Sequence, residues 1–114
     1  MQLIDQTTDT VISTNARVAD TFWSRFIGLM FKKSIGVEDA LIIDPCNNVH
    51  MFFMNFPIDV LFIDEEDTIC CIQENLRQGQ ISKYVAKARY VVELPSGRMK
   101  EKNVKIGDKI HKND

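Results

Sequence analysis

From Ala40 onward the chain reads as short apolar runs separated by turn signals. Ala40–Asp44 ends at Pro45, and Asn47–Asn48 marks a turn. Val49–Met54 and Ile58–Asp64 flank the turn Asn55–Phe56–Pro57, and the acidic turn Glu65–Glu66–Asp67 leads into Thr68–Asn75. Arg89–Leu94 is stopped by Pro95–Ser96–Gly97, and Gly107–Asp108 turns into a last short run, Lys109–His111. These runs are short, rich in β-branched or aromatic residues and bounded by turn formers, a pattern that predicts strands. Residues 10–18 share the composition and predict a strand upstream. The period changes once. Trp23, Phe26, Ile27 and Met30 fall at i, i+3, i+4 and i+7, one face of an amphipathic helix. With Asp20 as N-cap, Lys32 and Lys33 at the negative end of the dipole and Gly36 beyond, one helix is expected over about residues 20–32.

Short strands at near-regular spacing predict a mainly β domain, a β-sandwich or open barrel with one short N-terminal helix. Val49–Met54 and Ile58–Ile63 are apolar on both pleat faces, so both faces of their sheet need cover. The aromatic stripe of the helix is the obvious candidate for that cover. No Pro/Gly/Ser-rich linker interrupts the chain, and a length of 114 residues suits one domain over residues 1–114. Glu93, alone among apolar neighbours, is expected on the solvated face of its strand.

Composition narrows the function classes. A formal net charge of −2 lacks the basic excess of nucleic-acid binders and argues against an anionic membrane surface as partner. Six Lys/Arg between Arg98 and Lys112 read as a solvated terminal hairpin rather than a polyanion site. Cys46, Cys70 and Cys71 are odd in number and make no disulfide framework, so reduced thiols are expected. The N-terminal stretch lacks a basic n-region and an apolar h-region, and the longest apolar stretch is broken by His50, Asn55, Pro57 and Asp59. A cytoplasmic location is the resulting expectation.

The residues also carry a family resemblance. Gly28–Leu29–Met30, Ala40–Ile43 with Pro45–Cys46, Val49–His50 and Met54–Asp64 resemble the signature of the domain of unknown function 192 family. Val92–Gly97 and Gly107–Asp108 match its later blocks in order, and the resemblance covers about residues 12–111. It implies a small β-sandwich-like domain with a short N-terminal helix and no established activity. Many members carry an N-terminal signal or lipid-attachment segment; the N-terminal stretch here does not read as one, and an exported location is not expected. Two other departures stand out. Members usually have Thr where this chain has Met51, and Gly where it has Phe53. A strand Gly permits close approach of a ligand or backbone, and Phe53 is expected to fill that space.

Candidate chemistry is sparse. Cys46 and His50 show a C-x3-H spacing, but zinc sites normally need four ligands in paired motifs, and four residues of a strand span about 13 Å. No metal and no cofactor is therefore expected. Cys46, His50 and Asp59 have the residue types of a nucleophile, base and orienter, without any local catalytic signature around them. The sharper expectation is a cleft at the mouth of the sandwich lined by His50 and Asp59, with Cys46 at the turn. Its structural alternative is a hydrogen-bonded core histidine. If 49–54 and 58–64 form a hairpin, Asp59 opposes either Phe53 or Met54, and only the second places it on the face of His50; the pattern leaves both open. The reading is a non-catalytic binding or accessory domain with a small-molecule ligand. A small Cys/His-dependent hydrolase and an assembly module pairing by sheet edges are the alternatives.

Overall fold

A computed structural model describes residues 1–114. Its elements in order are β1 (Gln2–Asp5), β2 (Thr10–Ser13), β3 (Asn15–Ala19), α1 (Phe22–Ile27), β4 (Asp39–Ile43), β5 (Ile58–Ile63), β6 (Ile69–Leu76), β7 (Tyr90–Pro95), α2 (Arg98–Glu101) and β8 (Ile110–Asn113). They form a three-stranded sheet, β2-β1-β8, and a five-stranded sheet, β3-β4-β7-β5-β6. Every pairing is antiparallel except β3 with β4. The molecule is thus mainly β, with two sheets and no closed barrel.

The central strands alternate between two apolar layers, as a pleat requires. Ile42, Leu61, Ile63, Val92 and Leu94 pack with Leu3, Ile12 and Ile110 of the smaller sheet. Leu41, Ile43, Val60, Phe62 and Val91 point the other way and pack with Leu29, Val49, Met51 and Met54. All six residues of β5 are buried for this reason. The need for cover on both faces follows from the apolar pattern, and both covers exist.

The second cover is a loop, however, and not a hairpin strand. Residues 49–54 form no strand; they make one isolated bridge, His50 to Ile81. The segment is tied instead by Met51 N–H to the Gln80 carbonyl at 2.8 Å and Ser82 N–H to the Val49 carbonyl at 2.8 Å. The expected pairing of 49–54 with 58–64 is therefore corrected: β5 takes β6 and β7 as neighbours, burying more apolar surface than one short hairpin partner offers.

The helix is also shorter than the periodicity predicts. Thr21, not Asp20, is the N-cap, in a reciprocal pair with Ser24. It ends at Gly28, whose φ of +49° lies outside the helical region. With the helix stopped there, Met30 no longer continues the face of Trp23 and Phe26. No residue of α1 is buried; Phe22 and Trp23 are 68% and 67% exposed. Only Leu29, just past the helix, enters the apolar layer. Trp23→Ala should accordingly cost less than about 1 kcal/mol in chemical denaturation, as surface substitutions do. A loss of about 3 kcal/mol or more, the cost of a core aromatic, would put the stripe back on the sheet.

Arg98 corrects the solvated reading of the terminal basic run. Its guanidinium is buried, donating to the Ile12 carbonyl at 3.0 Å and pairing with Glu38 at 2.6 Å and Glu101 at 3.0 Å. Burying this charge is tolerable only because its hydrogen bonds are so placed.

Candidate functional site

Glu93 is the one buried carboxylate on the face of the five-stranded sheet that the 49–54 loop covers. In β7 it stands opposite Leu41 of β4 and Val60 of β5, both residues of the second apolar layer. The solvated position expected for it is corrected: β7 is the middle strand, and neither of its faces is wet. Burial alone pushes the carboxyl from an ordinary 4.5 up to about 8, so it carries its proton at neutral pH. Its Oε1 has no hydrogen-bond partner. Buried polar atoms are nearly always paired, and leaving one unpaired costs about 1–3 kcal/mol.

A cavity of about 50 Å³ opens above this carboxyl, roofed by residues 25–30 and walled by Ile43, Cys46, Asn48, Val49, His50 and Met54. Gly28 sits over the acid. A Cβ on it would stand 3.6 Å from Oε1 and 3.8 Å from Ile43 Cδ1, so the bare backbone keeps the approach open. Arg25 reaches in from α1. One of its terminal nitrogens donates to the Pro45 carbonyl at 3.3 Å, while its buried Nε has no partner.

Cys46 and His50 share this cavity. The Cys46 thiol donates to the Asn48 carbonyl at 3.0 Å. Burial raises its pKa above the ordinary thiol range; Glu93 raises it further and Arg25 opposes. His50 Nδ1 accepts from the Phe52 N–H at 3.2 Å, which leaves the proton of the neutral ring on Nε2. The ring stacks on Phe52 at 5.2 Å and tilts against Phe26 at 6.1 Å. Phe26 in turn meets Trp23, and Trp23 meets Phe22, edge to face. The mouth of the cavity therefore opens beside an exposed aromatic surface.

Asp59 lies elsewhere. It is adjacent to Val60 and Ile58 in β5 and so points to the opposite face of the sheet. There its buried carboxylate accepts from the backbone N–H groups of Asn75 at 2.9 Å, Gly97 at 3.0 Å and Met99 at 3.3 Å. The structure brings Cys46 and His50 together, leaves Asp59 out and adds Glu93 and Arg25. The sign of Glu93 in the sequence was a lone carboxylate with apolar residues on both sides and no alternation around it.

Phe53 does not fill the cavity. Its φ of +61° is a left-handed backbone that glycine adopts without cost, in keeping with the Gly that the family resemblance implies at this position. Its ring is exposed and stacks on Phe31 at 5.2 Å. A wider depression of about 550 Å³ lies between Asp64–Glu66 and Ala86–Arg89, but it is shallow and its charges are of both signs. No three His, Cys, Asp or Glu side chains converge where one ion could sit, and all three cysteines are free. No helix is long and apolar enough to cross a membrane.

Comparison with known proteins agrees with this fold. The profile of the family DUF192, described as "Uncharacterized ACR", matches residues 3–112. A UPF0127 protein of Thermococcus sibiricus is 33% identical over 114 residues, covering 95% of this chain and 72% of that one. A solved protein of unknown function from Novosphingobium aromaticivorans superposes with a TM-score of 0.84 at 20% identity, over 97% of this chain and 82% of the other. A presumed transcription regulator from Sinorhizobium meliloti superposes with a TM-score of 0.78 at 25% identity, over 96% and 89%.

Proposed function

The chain belongs to the domain of unknown function 192 family, and from that premise we propose that it is a non-catalytic binding domain whose cleft is lined by Cys46, His50 and Glu93. One observation carries the reading: a fully buried carboxyl with a partnerless oxygen at the floor of a cavity. Such a group weakens the fold, and groups kept at the expense of stability belong to sites more often than to cores. A ligand that reaches Oε1 supplies the missing partner.

The alternative of a Cys-dependent hydrolase draws less support. A nucleophilic thiol needs a base or a lowered pKa. Cys46 has the opposite: its thiol is pushed up by burial and donates to a backbone carbonyl. A regulatory role in binding nucleic acid, suggested by the Sinorhizobium meliloti likeness, meets a net charge of −2 and a sequence pI of about 5.6.

Two measurements test the reading together. A fragment screen by NMR should perturb the backbone signals of Gly28 and of Asn48–His50 as one group. Iodoacetamide should alkylate Cys46 more slowly than an unhindered model thiol. A Cys46 that reacts far faster than Cys70 and Cys71 would transfer the case to the hydrolase.

A further inference from the structure

We propose that the Glu93 cleft binds the carboxylate of a small organic acid whose apolar body lies across the aromatic surface at the cleft mouth. The inference rests on the binding-domain reading and names the ligand class for it.

Two groups in the cavity lack partners, and both can donate. Arg25 Nε is buried and unbonded, although the same guanidinium reaches Pro45 through another nitrogen. Glu93, buried and protonated, has one oxygen without a partner. The imidazole of His50 adds an N–H on the ring nitrogen not bonded to Phe52. A ligand cation would meet Arg25. A ligand carboxylate has what both unpartnered groups lack: one oxygen accepts from Arg25, the other from the Glu93 hydroxyl, a charge-assisted arrangement.

Size agrees. A cavity needs about 10–15 Å³ of such space for each water-sized group. About 50 Å³ therefore holds roughly three to five, enough for the three heavy atoms of a carboxylate and little more. The rest of the ligand has to stay outside, where Trp23, Phe26, His50 and Phe52 are in ring contact. With about 200 Å² for each aromatic side chain, the exposed fractions of the rings joined by contact, Phe22, Trp23, Phe26 and Phe52, amount to roughly 470 Å². That matches the largest apolar patch of a typical monomer, about 300–600 Å², a patch that is often functional. A flat apolar body finds its cover there.

Binding should depend on pH through Glu93. The groups facing it are Arg25 from α1, Cys46 and His50 from the loop, and apolar Leu41 and Val60 from the neighbouring strands. Once Glu93 loses its proton, two carboxylates face each other and the donor is gone. With the acid titrating at about 8, the competent fraction falls roughly tenfold between pH 7 and pH 9.

The single tryptophan lies on the aromatic surface and reports the event. Phenylacetate, phenylacetamide, phenethylamine and acetate are titrated into the full chain at pH 7 and pH 9, followed by Trp23 fluorescence and calorimetry. Phenylacetate should bind best and weaken about tenfold at pH 9. Glu93→Gln, which keeps a neutral donor, should bind it equally at both pH values. Arg25→Gln should weaken it tenfold or more, and His50→Asn should leave the pH 7 to 9 ratio in place. Preference for the amine or the amide, with Gly28 and His50 still perturbed, would overturn the acid and leave the binding domain standing. Acetate binding as tightly as phenylacetate would remove the apolar body. If none of the four probes binds, both the acid and the cleft reading fall.

Discussion

Glu93→Gln should raise stability by several kcal/mol at pH 8 and change it little near pH 4. The sign follows from proton counting. Between about pH 4.5 and pH 8 the unfolded chain has an ionised Glu93, while the folded chain keeps the proton. The folded state binds more protons there, so stability falls as pH rises. The slope from this one group is about 1.4 kcal/mol per pH unit. The loss begins above the unfolded pKa and ends above the folded one. Gln has the shape of the neutral acid and does not titrate, so the variant lacks this slope. Asp5 has the same sign over a lower window: burial and the neighbouring Asp108 raise it from 3.8 to about 6. Wild type and variant should therefore run parallel in the part due to Asp5 and diverge from about pH 4.5 upward, until Glu93 ionises in the fold at about 8. Urea denaturation at pH 5, 6, 7 and 8 reads this directly. Equal slopes above pH 6 would mean that Glu93 is hydrated and its cavity wet and open.

Asp59→Ala is expected to be the most destabilising single change near the β7–α2 junction, by about 3 kcal/mol or more. Its carboxylate accepts from three backbone donors, Asn75, Gly97 and Met99. Two of them are the N-cap Gly97 and the first-turn Met99 of α2, where N–H groups have no partner in their own helix. Asp59 thus caps α2 from a strand some 40 residues away in the chain, at Met99. Alanine strands all three donors in a dry site, and each costs about 1–3 kcal/mol. Asp59→Asn retains one acceptor oxygen and should fall between alanine and wild type. The measurement is a guanidinium midpoint for each variant, with the slope checked for two-state behaviour. A loss below 1 kcal/mol for alanine would mean that water replaces the carboxylate. Asp59, expected in a cleft with His50, is by this geometry a structural anchor, and the test separates the two roles.

The strands at 58–63, 69–76 and 90–95 were legible within a residue or two. Their apolar and β-branched runs end at Pro57, at the acidic turn 65–67 and at Pro95, and such signals act over neighbouring residues only. β1 was not: Gln2–Asp5 is too short to show a period, and it is a strand because β2 and β8 pair with it. Cys46 and His50 were recognisable as candidates because polar groups in an apolar stretch are uncommon. Their grouping with Asp59 failed because residues 49–54 are a loop and not the partner strand of β5.

Sequence alone determined the mainly β class, the family and most strand positions, because period, turn chemistry and motif order are local properties of the chain. Tertiary structure alone decided what covers each face. Alternation along Val91–Val92–Glu93–Leu94 says that Glu93 points away from the face of Val92, but not whether water or a loop lies above it; the segment 46–54, a loop in the fold despite its strand-like pattern, settles that. The aromatic face of α1 shows the converse. Its spacing was that of a buried stripe, yet the helix ends at Gly28, and the sheet surface it would have covered is already occupied by Leu29, Val49, Met51 and Met54. Burial is a competition between distant segments for the same area, and a periodicity records only that a segment is able to compete.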